Sequence, residues 1–231
     1  MPPHQIPLSL PHQASFNRAD FLTGAANAGA IALVDAWPDW PARIVLLAGP
    51  IGSGKSHLVE IWRGMSGAEV VAASALVVPN VEALLASGAI AIEDLHAGPI
   101  DEAALFHLLN ISMERKATVL ITSRQWPSAL PLALDDLVSR LRAAHRVELA
   151  EPDDDLLRRV LIKLLADRQL TVDRAVVDFV VTRMERSLGA ANLIIDRLDR
   201  EALAAGRAIT VPFAAEALRP IFENQAEVRP D

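Results

Sequence analysis

The chain of 231 residues contains no cysteine and no tyrosine. Without thiols it can form neither disulfides nor thiolate metal sites, and a reducing compartment suits it. Lysine is nearly absent as well, occurring only at Lys55, Lys116 and Lys163, so a lysine inside a motif stands out. Acidic side chains outnumber basic ones, 29 to 22, for a formal net charge of −7. That balance opposes non-specific nucleic-acid binding, which depends on cations neutralising phosphates. No apolar run is long enough to span a bilayer, and no basic leader precedes an apolar stretch, so a cytoplasmic, membrane-free location is expected. The four tryptophans, Trp37, Trp40, Trp62 and Trp126, are expected at element edges and not as a base-stacking array.

What is present is a globular composition, 52% hydrophobic and 22% charged, with length for one large or two modest domains. Residues 1–13 are rich in Pro and His and lack periodicity, which predicts an extended tail. Short apolar runs then alternate with amphipathic stretches. The pattern predicts strands at 43–48, 69–72, 89–92, 118–121 and 146–149, and helices at 27–36, 54–65, 81–86, 101–115 and 135–143. Such alternation implies a parallel sheet of five strands covered on both faces. After Glu151-Pro152 the pattern turns helical, with helices predicted at 153–168, 173–186 and 189–205. A short segment, Ile209-Thr210-Val211, then leads into a helix at 212–222. The expected organisation is therefore a tail at 1–13, an α/β domain at 14–150, a small all-α domain at 151–224 and a tail at 225–231.

GPIGSGKS, Gly49 to Ser56, fits G-x-x-x-x-G-K-[ST] between a predicted strand and a predicted helix. Glycines allow the backbone to curl so that its N–H groups converge on phosphate oxygens, and the helix N-terminus adds partial positive charge. Gly49, Pro50, Gly52, Ser53, Gly54, Lys55, Ser56 and His57 are the expected nucleotide contacts. Lys55 reaches the β- and γ-phosphates in this chemistry, and the Ser56 hydroxyl ligates Mg²⁺. IAIEDLH, Ile90 to His96, is a hydrophobic strand ending in two carboxylates. There Glu93 is expected on the metal side and Asp94 as the group that activates water, although acidic residues also serve as ordinary helix caps at such places. Thr122-Ser123-Arg124 closes the next strand; Thr122 can contact a γ-phosphate or orient water, or simply form a turn.

In this order the motifs resemble those of the AAA+ ATPases, and within them the DnaA/Hda family, nearest its Hda-type regulatory branch that inactivates DnaA. FLTGAANAGA, Phe21 to Ala30, resembles the family's N-linker; LITSR, Leu120 to Arg124, its sensor 1 strand; DLVSRL, Asp136 to Leu141, its arginine-finger segment; and RSLGAANLIIDRLD, Arg186 to Asp199, its sensor 2 helix. The resemblance spans about residues 16–222 and implies an AAA+ P-loop domain with a five-stranded parallel sheet, followed by an all-α lid. It assigns the finger to Arg140 and a nucleotide contact to Arg186. The chain departs from the family in having Glu93-Asp94 where two aspartates are usual, and Asp136 four positions before the finger where DnaA has a second arginine. DnaA continues into a helix-turn-helix domain that reads the origin, whereas Asp231 follows the lid here, so a regulator without sequence-specific DNA binding is expected.

The implied function is to bind ADP or ATP with Mg²⁺ and to stimulate hydrolysis of DnaA-bound ATP through Arg140 in trans, the chain being an activator more than an efficient ATPase. The alternative is a stand-alone AAA+ ATPase, a helicase loader or remodeller, which would use Arg140 on a like subunit in a homo-oligomer; a small-molecule kinase fits least. QIPLSL, Gln5 to Leu10, resembles the family's short sliding-clamp-binding peptide. In it the Gln5 amide would meet polar groups at a pocket rim while Leu8 and Leu10 fill an apolar pocket, and Pro7 and Pro11 keep the peptide extended. A tail with no partner is the bland alternative.

Overall fold

Apolar side chains at every position of strand β1 (Ile44–Ala48) leave it no solvent face, and all five residues are buried. Strands β3 (Ala89–Glu93) and β4 (Thr118–Ser123) are also buried along nearly their whole length, whereas β2 (Glu69–Ala72) and β5 (His145–Glu148) are more exposed. This division matches the sheet order β2-β3-β4-β1-β5, in which the apolar runs are central and the polar ones are edges. All four pairings are parallel. The computed structural model describes residues 17–227, with side chains described through residue 223. Gln5, Leu8 and Leu10, on which the clamp peptide was read, lie outside the described residues.

Helices cover both faces of the sheet. Alternate strand residues divide between two cores, as the two-residue period of a strand requires. Val45, Leu47, Ala89, Ala91 and Leu120 pack with helices α1 (Ala28–Asp35) and α2 (Lys55–Ser66). Ile44, Leu46, Ile90, Ile92, Val119 and Ile121 pack with α3 (Val81–Leu84), α4 (Glu102–Glu114) and α5 (Asp135–Ala143). The architecture is a five-stranded parallel α/β sheet followed by a helical C-terminal region, in agreement with the expected fold class.

One tryptophan departs from expectation. Trp62 is not at an edge but inside α2, fully buried and stacked on Trp40 with centroids 5.0 Å apart, while Trp37 packs edge-on to both. The Trp40 indole N–H donates to the Leu33 carbonyl at 2.7 Å, which fixes the ring while its body shields Trp62. No local pattern in the chain announces this burial, because the partners come from a separate loop.

The described residues divide into two compact units, one ending at Glu151 and the other beginning at Pro152. The second comprises α6 (Asp154–Asp167), α7 (Arg174–Val181), α8 (Leu188–Ala205) and α9 (Val211–Glu227) around a core of Leu157, Leu161, Val177, Ile194, Leu198 and Leu218. Asp153, Asp173 and Ser187 cap the first three of these helices by accepting N–H groups of Leu156, Ala175 and Ala190. Helix α7 ends at Val181, five residues short of the expected 186. Thr182 turns its hydroxyl back on the carbonyls of Asp178 and Phe179, and the chain then unwinds to set Ser187 as the next cap. The short segment at 209–211 leads into α9 as expected, with Thr210 accepting from the N–H groups of Phe213 and Ala214. Pro212 fits that first turn, and the helix passes Pro220 to reach Glu227 instead of stopping at 222. Among the described residues no helix is long and apolar enough to cross a membrane.

Candidate functional site

The register of the sheet gathers the chemistry at one edge. Ala48 at the end of β1 stands opposite Ser123 of β4, Leu47 opposite Thr122, and Ile92 of β3 opposite Ile121. The loop after β1, the carboxylates after β3 and the polar end of β4 therefore emerge together, at the carboxyl ends of the strands where α/β sheets bind ligands.

The loop is held by close backbone approach. A Cβ at Gly49 would lie 2.5 Å from the Leu149 carbonyl oxygen and 3.0 Å from Ser53 Oγ, so no larger residue fits. Gly54, which opens α2, has φ of +100°, a left-handed value that glycine alone adopts at little cost. Ser53 is buried, Ser56 is exposed in the first turn of α2, and His57 lies edge-on to Phe21 with centroids 4.9 Å apart. Lys55 is 8% exposed, and its ammonium donates to the Gly49 and Pro50 carbonyls, each at 2.7 Å, and more weakly to Ser53 Oγ at 3.4 Å. Burial holds its pKa below the ordinary lysine value; the Arg124 guanidinium pushes the same way, and Asp94 and Glu93 oppose it. Lys55, Arg124, Asp94 and Glu93 thus share one electrostatic neighbourhood, as the sequence motifs require.

At the acidic strand end the two carboxylates differ. Asp94 is exposed, at a left-handed φ of 58°, a value unusual for any residue with a Cβ. Its N–H donates to Thr122 Oγ1 at 3.1 Å, and the next N–H, of Leu95, donates to the Thr122 carbonyl at 2.9 Å. Thr122 itself is 1% exposed, so the hydroxyl expected beside a γ-phosphate is engaged in holding the Asp94 backbone. Glu93 Oε1 is buried and has no hydrogen-bond partner. An orphaned carboxylate oxygen in the electrostatic neighbourhood of Lys55 fits the hard, oxygen-preferring Mg²⁺ ion, and Ser56 in the first turn of α2 offers a further oxygen. No three His, Cys, Asp or Glu side chains cluster as a cage among the described residues, and Mg²⁺ in nucleotide sites takes ligands from phosphates and water as well.

His96 received no role in the sequence reading, yet its Nδ1 accepts the Arg124 N–H at 3.2 Å and ties the loop after β3 to the end of β4. Burial, followed by Arg124, lowers its pKa from the ordinary 6.5; Asp94 opposes and Lys55 assists. The folded state takes up this proton less readily than the unfolded chain. His96 therefore makes stability fall as pH drops below 6.5 toward the depressed pKa, and this loss is absent above both values. The urea midpoint should decrease from about pH 7.5 to about pH 5.5, and by less in His96→Asn, which accepts without titrating. Equal decreases in the two proteins would show that His96 is not the responsible group.

The remaining expected residues lie elsewhere. Asn27 of the linker is buried and local in action, accepting the Gly24 N–H at 2.8 Å and donating to the Leu22 carbonyl at 3.0 Å. Arg186 belongs to the C-terminal unit, where it pairs with Asp154 at 2.7 Å. Arg140 is exposed in the last turn of α5 and lines a groove of about 580 Å³ with Arg43, Ile44, Phe106, Met113 and Asp136. Ile44 begins β1 and the phosphate loop follows its end, so the groove and the loop are separated by the length of the strand, about 13 Å at 3.3 Å per residue. The structure does not bring Arg140 to the phosphate loop of its own chain.

Residues 154–218 match the family model of the Hda lid domain. The fold resembles domain III of the Thermotoga maritima replication initiation protein DnaA, with a TM-score of 0.75 at 19% identity over 89% of this chain and 96% of that one. It also resembles replication initiator DnaA bound to AMPPCP and single-stranded DNA (TM-score 0.69, 18% identity, 92% of this chain and 69% of that one). The Thermotoga maritima RuvB branch migration motor has the same fold at a TM-score of 0.67 and 18% identity, over 82% of this chain and 66% of that one. An uncharacterized protein of Haemophilus influenzae is 32% identical over 118 residues, and the matched part spans about half of each chain, 51%. The lid match over residues 154–218 and the shared fold liken the chain to DnaA/Hda-type AAA+ proteins.

Proposed function

We propose that this protein is a nucleotide-binding regulator of replication initiation that stimulates hydrolysis of ATP held by DnaA. The observation that carries this reading is the placement of Arg140, exposed on a groove at the end of β1 remote from its own phosphate loop. An arginine so placed can act on the nucleotide of a second subunit. There its planar guanidinium would offset charge on the transferring phosphoryl group. The Hda lid match supports DnaA as that subunit, and the DnaA likeness includes a form bound to a nucleotide analogue.

In this reading the chain's own site holds ADP or ATP to order the domain. The backbone of Gly49–Ser56 and the Lys55 ammonium bind the phosphates; Ser56 and Glu93 hold Mg²⁺, which when bound neutralises phosphate charge. Asp94 stands ready beside them, with its backbone fixed by Thr122. His57 and Arg186 are proposed nucleotide contacts as well. The site is cytoplasmic in this account, and the test of the account is turnover of DnaA-bound ATP.

The completeness of the Lys55–Glu93–Asp94–Arg124 neighbourhood favours a second reading, a stand-alone ATPase whose Arg140 serves a like subunit. That reading predicts rapid turnover without DnaA. The clamp tether is proposed from Gln5, Leu8 and Leu10 alone. Removing residues 1–12 is expected to abolish retention on immobilised sliding clamp while leaving ADP affinity intact; unchanged retention would remove the tether from the account.

A further inference from the structure

We propose that Glu102 and Phe106, one turn apart on α4, are positioning residues that set Arg140 in place. The inference rests on the reading of Arg140 as a finger acting in trans. Helix α5 has Leu134 as its N-cap residue, which offers no side-chain cap. The Glu102 carboxylate, from another helix, anchors the two residues that lead into α5, accepting the Ala133 N–H at 3.0 and 3.1 Å and the Leu134 N–H at 2.7 Å. At the other end of α5, the Arg140 guanidinium carbon lies 5.9 Å from the centre of the Phe106 ring, a cation–π distance. Phe106 is half-buried, packs on the core beneath it and lines the same groove as Arg140.

These two contacts act on different degrees of freedom. Glu102 fixes where α5 begins and, because the helix has only nine residues, where its last turn lies. Phe106 restricts the long arginine side chain, which is exposed and would otherwise sample many rotamers. Neither residue needs to touch phosphate. Both raise the fraction of encounters in which the guanidinium meets the developing charge, and misplacement by about 1 Å can cost about a hundredfold in rate.

The experiment measures the rate of hydrolysis of ATP loaded on DnaA against concentration of the full-length regulator, giving a maximal rate and a half-saturating concentration. Phe106→Leu, Phe106→Tyr, Glu102→Ala and Arg140→Ala are compared, each with its ADP affinity and Tm. Phe106→Leu and Glu102→Ala should lower the maximal rate about tenfold to a hundredfold. Half-saturation and ADP affinity should be unchanged, and Phe106→Tyr, which keeps the ring, should match the wild type. If Arg140→Ala is inactive but Phe106→Leu retains the full rate, this inference fails and the finger stands. A Phe106→Tyr as impaired as Phe106→Leu, or losses that track ADP affinity or Tm, would also overturn it. Full stimulation by Arg140→Ala would overturn the finger and this inference together.

Discussion

Arg140→Ala is expected to abolish stimulation of ATP hydrolysis on DnaA, a loss of about a thousandfold. It should leave ADP binding and thermal stability of the protein itself unchanged. The size of the effect follows from transition-state charge: a guanidinium in a water-poor interface meets phosphoryl oxygens whose charge grows as the reaction proceeds. The absence of a cost to the protein follows from place. Arg140 is exposed, forms no ion pair among the described residues, and lies at the end of β1 remote from the Lys55 ammonium. Steady-state hydrolysis with radiolabelled ATP on DnaA checks the first half, and ADP titration checks the second. Lysine at position 140 should not restore the rate, because a point charge lacks the planar fork that meets two oxygens.

Lys55→Met should cause the second largest change, a fall in ADP affinity of about 30- to 100-fold, or about 2–3 kcal/mol. Methionine keeps most of the buried stem and removes the charge. The chain then loses its ammonium from the phosphate loop, and the Gly49 and Pro50 carbonyls lose the donor that each now accepts at 2.7 Å. Calorimetric titration with ADP measures the loss directly. If the bound nucleotide orders the domain, the variant should also lose the rise in Tm that ADP gives the wild type. Affinity within a fewfold of wild type would show that the loop does not bind phosphate through Lys55.

The parts of the fold that sequence made legible are those written in local chemistry. The runs at 43–48 and 89–92 read as buried strands, and strands stand at Ile44–Ala48 and Ala89–Glu93, because a short unbroken apolar run has few other uses. Helix α5 has the bounds expected of it, Asp135 to Ala143, because acidic residues open it and a strand follows at once. The phosphate loop was legible from glycine spacing, which is a demand of the backbone itself.

What was not legible depends on contacts between distant residues. His96 and Arg124 are 28 positions apart, and Glu102 reaches Ala133 and Leu134 across 31 and 32. No period or cap signal along the chain can announce such a bond. Trp62 reads as one more apolar residue of an amphipathic stretch until Trp37 and Trp40 fold over it. The early end of α7 was hidden for a related reason. The apolar period continues through Met184, which is buried, although the helical backbone has already been given up at Thr182.

The central claim, that this chain acts on a nucleotide it does not itself hold, is tested most directly by a single-turnover measurement. DnaA is loaded with labelled ATP, free nucleotide is removed, and hydrolysis is followed with and without the wild-type protein carrying ADP. The account predicts that the protein accelerates conversion of DnaA-bound ATP to ADP while turning over little ATP alone. An unchanged rate on DnaA, together with rapid turnover by the protein by itself, would contradict it.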